Sequence, residues 1–127
     1  MDIFGLKAAK ADAGVEMQVK DLYEDVIPGA TITLLGMDSK KGRDMQRKKQ
    51  QAMLDRAVKG RNVQKLDAEK LAAENIDDMV ELTKEWTLSD AKGPMECTPE
   101  NIRKVYTEVP HVFEQARNFV NDRANFT

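Results

Sequence analysis

The chain has 127 residues, 41% of them hydrophobic and 33% charged, with a formal net charge of −2. That length fits one domain with one modest core. The balanced charge excludes the low-hydrophobicity, high-net-charge disordered class and argues against a general nucleic-acid binder, which would carry a strong positive excess.

Residues 1–14 are rich in Ala and Lys and read as a short helix or an arm. Ile3, Phe4 and Leu6 are the only large apolar anchors there, and terminal arms are often loosely ordered. Residues 15–127 then read as a single, mainly helical domain. Val15, Met17 and Val19 alternate with Glu16, Gln18 and Lys20, the period of a strand. Thr31, Ile32, Thr33, Leu34 and Leu35 form a second, β-branched strand signal. Between them Pro28-Gly29 marks a turn, so an antiparallel hairpin with a long connection is expected. Two strands alone are marginal in water, so this hairpin must pack on helices or on another subunit.

Gly36 ends the strand, and Asp38 and Ser39 are both good helix N-caps. A helix is expected to about Val58, with Gly60 at its C′ position. The segment from residue 40 to 61 is strongly basic: Lys40, Lys41, Arg43, Arg47, Lys48, Lys49, Arg56, Lys59 and Arg61 stand against Asp44 and Asp55. Its first half has Met45 as its sole apolar side chain, so the helix is solvated or faces a partner. The next helix has Asp67 as N-cap, with Leu66 and Leu71 at the spacing of a hydrophobic staple. Ala72, Ile76, Met79, Val80 and Trp86 make its apolar face, and Glu74, Asp77, Asp78, Glu81 and Glu85 its acidic side.

A loop over residues 87–97 turns at Gly93-Pro94. Thr98-Pro99-Glu100 then opens a helix. Thr98 caps it, Pro99 takes the position where a missing N–H costs nothing, and Glu100 meets the positive end of the dipole. Ile102, Val105, Tyr106 and Val109 form its stripe, and Pro110 breaks it. A last helix carries Val112, Phe113, Ala116, Phe119 and Val120 on one face. The fold class expected is α+β: three to four helices with a small N-terminal β-hairpin, and Trp86 buried between the third helix and the last two. There is no internal repeat and no low-complexity linker.

Cys97 is the only cysteine, so no intrachain disulfide forms and nothing points to secretion. The N-terminus lacks a basic region followed by an apolar run, and no stretch is apolar enough to span a bilayer, so a reducing cytoplasm is expected.

Candidate chemistry is thin. His111, the one histidine, sits at a helix start, where a surface or capping role is the plainer reading. Cys97 could serve as a nucleophile near a helix N-terminus. It carries no cysteine-hydrolase signature, and a small apolar contact with Ile102 explains it as well. No Cys/His cluster, calcium loop or glycine-rich phosphate loop is present, so no enzyme activity, metal or cofactor is expected. What remains is surface. The basic helix could contact phosphates, dock on an acidic protein surface, or simply be solvated. Phe126 near the end either folds back or meets a partner. Lys40, Lys41, Arg43, Arg47, Lys48 and Phe126 are therefore the candidate partner-binding residues.

Several short motifs together resemble a known family. They are Glu85-Trp86, Gly93-Pro94-Met95, Cys97-Thr98-Pro99-Glu100-Asn101, Tyr106, Pro110 and Asp122-Arg123-Ala124-Asn125-Phe126. With Leu34-Leu35-Gly36-Met37-Asp38-Ser39 before a basic helix, the succession resembles tail assembly chaperones of long-tailed, lambda-like phages. The resemblance implies a non-enzymatic protein that keeps the long, helical, aggregation-prone tape measure protein soluble while tail-tube protein polymerises around it. It would be a homo-oligomer in the cytoplasm of the infected or lysogenic host, absent from the finished virion. Many such chaperones exist in two lengths through a translational frameshift, and an end soon after Phe126 would suit the shorter product. Methionines such as Met37, Met45, Met53, Met79 and Met95 would offer adaptable contacts to a client, unless they are core. Two other readings share the residues: a structural virion protein (head–tail connector or tail completion subunit), and a small nucleic-acid-binding regulator using the basic helix.

Overall fold

The computed structural model describes residues 2–58 and 68–127. The Gly60 C-cap, the Leu66–Asp67 cap and staple, Lys59 and Arg61 lie outside the described residues. After a 3-10 turn at Ile3–Leu6 come strands β1 (Val15–Lys20) and β2 (Val26–Leu34) and helices α1 (Lys40–Val58) and α2 (Ala68–Leu82). Strand β3 (Thr83–Trp86) and the tiny strands β4 (Ser89–Asp90) and β5 (Gly93–Pro94) follow. Helices α3 (Pro99–Glu108) and α4 (Pro110–Asn121) and a 3-10 turn at Arg123–Phe126 complete the chain. The class is α+β, with four helices among the described residues and a hairpin near the N-terminus, as the sequence led us to expect.

The alternation in β1 works as anticipated. Pairing Val15 with Leu34 and Met17 with Ile32 puts Met17, Val19, Ile32 and Leu34 on one buried face. The sheet differs in having three strands, in the order β1-β2-β3, all antiparallel. Residues 83–86, expected as the end of a helix, pair instead with β2, and Trp86 lies opposite Ile32. Thr83 sits at the switch from helix to strand. Its hydroxyl donates to the Met79 carbonyl (2.6 Å), and β2 offers an edge that the first strand alone would leave open.

The hairpin connection is short, not long. Asp21 accepts hydrogen bonds from the amides of Tyr23 (2.8 Å) and Asp25 (3.0 Å), and Glu24 takes a left-handed φ of 65°. Pro28-Gly29, expected as the turn, lies inside β2. The register with β1 shifts there, so Pro28 sits at a bulge, where its missing N–H is tolerated. The second expected turn is displaced in the same way: Gly93-Pro94 is strand β5, and the chain reverses at Ala91-Lys92, with Asp90 accepting from the Lys92 amide (2.8 Å).

Helix α4 packs on β1 and β2, α2 runs into β3, and α3 packs against α2 and α4. The core joins Met17, Val19, Ile32 and Leu34 to Met79, Leu82, Trp86, Ile102, Tyr106, Ala116 and Val120. Each fully buried large side chain of this set contributes roughly 1.5–3 kcal/mol. Trp86 donates its indole N–H to the Met95 carbonyl (3.0 Å). Thr98 caps α3 as expected, accepting from the Asn101 amide (3.2 Å). For α1 the cap is Ser39, which accepts from the Gly42 amide (3.0 Å), while Asp38 pairs with Arg123 (2.9 Å). Gly42 is required where it is: a Cβ there would stand 2.5 Å from the Met37 carbonyl oxygen.

Residues 8–14 are tied to the body. Lys10 N–H donates to the Phe126 carbonyl (2.8 Å), the Ala11 carbonyl accepts from Gly36 (3.0 Å), and Asp12 accepts from the Lys40 amide (2.7 Å). The residues before them carry Ile3, Phe4 and Leu6, all mainly exposed. No helix of the described residues is long and apolar enough to cross a membrane.

Candidate functional site

The two reactive side chains singled out from the sequence have structural partners. Cys97 packs half-buried against the core. Burial pushes its thiol pKa up, and the nearby Glu85 carboxylate pushes it the same way, opposite to what a nucleophilic thiolate needs. His111 Nε2–H donates to the Asp21 carbonyl (2.9 Å) and so ties the start of α4 to the β1–β2 turn. Among the described residues no group of three or more His, Cys, Asp or Glu is placed to hold a metal ion. The acidic face of α2 is engaged in ion pairs: Asp77 accepts from Arg103 (2.8 Å), and Asp78 pairs with Lys49 of α1.

The cationic candidates lie on α1. Lys40, Lys41, Arg43, Arg47 and Lys48 all project into solvent. Arg47 pairs with Asp44 one turn away (3.2 Å). Lys41 and Lys48 line one wall of an open groove between α1 and α2, of about 790 Å³. The opposite wall carries Glu74, Asp77, Asp78 and Glu81, and Met45, Met53 and Leu71 add apolar surface. The two helices therefore meet within one chain through the Lys49–Asp78 pair.

Phe126 is a correction. It is 1% exposed, packs edge-on against Phe119 (centroids 5.6 Å apart, planes at 76°), and lies under Gly36. It folds back into the body and is not a surface contact. Asp122 caps the last 3-10 turn by accepting from the Ala124 amide (3.1 Å), and Gly36 and Phe119, from other parts of the chain, receive the ring. The methionines are likewise mostly internal. Met79 is buried and Met37, Met45 and Met95 pack partly against the core, whereas Met53 is 67% exposed.

The apolar surface that the sequence reading missed is at the tip of the β1–β2 hairpin. Leu22 (77% exposed) and Tyr23 (87%) stand in the turn, and Val26 and Ile27, on opposite faces of the first residues of β2, are exposed beside it. Treating residues 23–30 as a loop concealed them. The available signal was four large apolar side chains in a connection where polar turn residues are usual. This tip is held from behind by His111 and by Gln115. The Gln115 amide accepts from the Lys20 N–H (2.8 Å) and donates to its carbonyl (2.8 Å), covering the open end of edge strand β1. The structure thus presents an apolar tip hydrogen-bonded from behind, an apolar N-terminal turn, and a bipolar helical groove. No protein-family model, no curated protein and no solved structure matches this chain.

Proposed function

We propose that this protein is a tail assembly chaperone that binds the tape measure protein of a long-tailed phage and holds it soluble during tail-tube assembly. It would act in the cytoplasm of the bacterial host and leave before the virion is complete. The observation that carries this reading is the hairpin tip, where Leu22, Tyr23, Val26 and Ile27 stand exposed on a braced turn. A holdase needs adaptable apolar contact with a helical client rather than a cleft, and such a tip fits the apolar stripe of an amphipathic helix. The short motifs from Cys97 to Asn101 and from Asp122 to Phe126 support the same family.

Co-expression with the tape measure protein of the same phage genome tests it. The two should co-purify at low salt after nuclease treatment, and this protein should be missing from purified virions. Failure to co-purify would remove the proposal; presence in virions would replace it with a structural tail or connector role.

One observation favours a second reading. Lys40, Lys41 and Arg43 form an exposed basic cluster on the first turns of α1 with no side-chain ion pair among the described residues. A small nucleic-acid-binding regulator would use them on phosphates, with affinity falling steeply as salt rises. Co-purification with a client that is lost on nuclease treatment would favour it.

A further inference from the structure

We propose that the α1–α2 hairpin is a self-association surface, and that two copies pack face to face about a two-fold axis running along the helices, making an antiparallel four-helix bundle.

The hairpin is bipolar. Helix α1 carries seven cations against Asp44 and Asp55, whereas α2 carries five acids against Lys70. The two run antiparallel: Leu35, just before α1, donates its N–H to the carbonyl of Leu82 at the end of α2 (2.8 Å), and further along Lys49 meets Asp78. Lys48 on one wall of the groove and Glu81 on the other have no side-chain ion partner among the described residues. Met53, 67% exposed, and Leu71, 46% exposed, line the same groove farther along the helices. A half-filled apolar groove between two charged walls is an incomplete bundle.

Charge selects how a second copy closes it. A two-fold axis perpendicular to the helices would lay α1 on α1 and α2 on α2, bringing like charges together. An axis parallel to the helices lays each α1 across the α2 of the second copy. Those two helices are again antiparallel, at the same heights as in the intramolecular pair. Lys48 then faces Glu81 of the second copy and Met53 faces Leu71 of the second copy. Each contact occurs twice, because a two-fold interface is self-complementary. Every helix has an oppositely charged neighbour on both sides. This assembly uses a different surface from the hairpin tip and stands whether or not the client is a tape measure protein.

Equilibrium sedimentation of the full chain is the test. A dimer is expected that does not grow further with concentration. Lys48→Glu alone and Glu81→Lys alone should each weaken it by roughly tenfold or more, since like charges then meet twice. The double variant should recover most of the loss. All sites are exposed, and circular dichroism reports whether each variant remains folded; if one does not, Met53→Asp replaces it and should also weaken the dimer. A monomer at roughly 100 μM, open-ended growth with concentration, or a dimer indifferent to both single reversals would overturn the proposal. So would a double variant no tighter than the singles.

Discussion

The Thr83 hydroxyl lies 2.7 Å from the Tyr106 hydroxyl, and because Thr83 already donates its proton to the Met79 carbonyl, Tyr106 is the donor of that pair. The bond links the α2–β3 junction to the last turn of α3, and both residues are buried. Removing either partner is therefore not equivalent. Thr83→Val leaves a buried phenol without an acceptor and should cost about 1–3 kcal/mol. Tyr106→Phe leaves Thr83 bonded to Met79 and should cost only about 0.5–1.5 kcal/mol. Urea unfolding of the two variants checks the order; a larger loss for Tyr106→Phe would place the weight on aromatic packing instead.

Burial gives Tyr106 a second consequence. Its pKa is pushed up to about 12 from 10.0, chiefly by burial, with Cys97 adding a smaller raising effect. A phenol whose folded pKa is raised keeps its proton longer in the folded than in the unfolded chain. Its contribution is complete below pH 10 and is lost as pH rises from 10 through about 12. Stability measured by denaturant at rising pH should fall over that window, and Tyr106→Phe should flatten that part of the fall.

Gly36 is where the arm, the strand end and the C-terminal turn meet. A Cβ there would stand 2.8 Å from the Ala11 Cβ and 3.2 Å from the Phe126 ring. Gly36→Ala should cost about 1–3 kcal/mol through overpacking. It should also speed hydrogen exchange at the Lys10 amide, which donates to the Phe126 carbonyl. Unchanged exchange there would show that the turn absorbs the methyl without moving.

The helical half of the fold was legible because its signals are local. Thr98-Pro99-Glu100 fixes the start of α3 within its own four residues, and Pro110 separates α3 from α4. Strand β3 was hidden because Met79, Val80 and Trp86 continue a helical spacing; the choice is made by β2, fifty residues earlier, which supplies the edge for Thr83–Trp86. Pro28-Gly29 misled for a related reason: a dipeptide that favours turns also suits a bulge. At the surface, Lys40, Lys41, Arg43, Arg47 and Lys48 are exposed on α1, but Phe126 is not, since its burial depends on Gly36 and Phe119 meeting it from other parts of the chain. The hairpin tip depended on knowing that the turn is only residues 21–25.

Thr98→Ala should destabilise the chain by about 0.5–2 kcal/mol through loss of the bond to the Asn101 amide. Thermal unfolding measures it. A variant of unchanged stability that no longer bound a client would make Thr98 a recognition residue rather than a cap.

The most direct test of the account is the soluble fraction of the tape measure protein, co-expressed with this protein in its natural form or carrying Leu22→Asp and Tyr23→Asp at the hairpin tip. Both side chains are largely exposed, so the variant should fold normally. The client should be soluble with the natural protein and should aggregate with the variant as it does alone. A client equally soluble with the variant, or soluble with no partner at all, would contradict it.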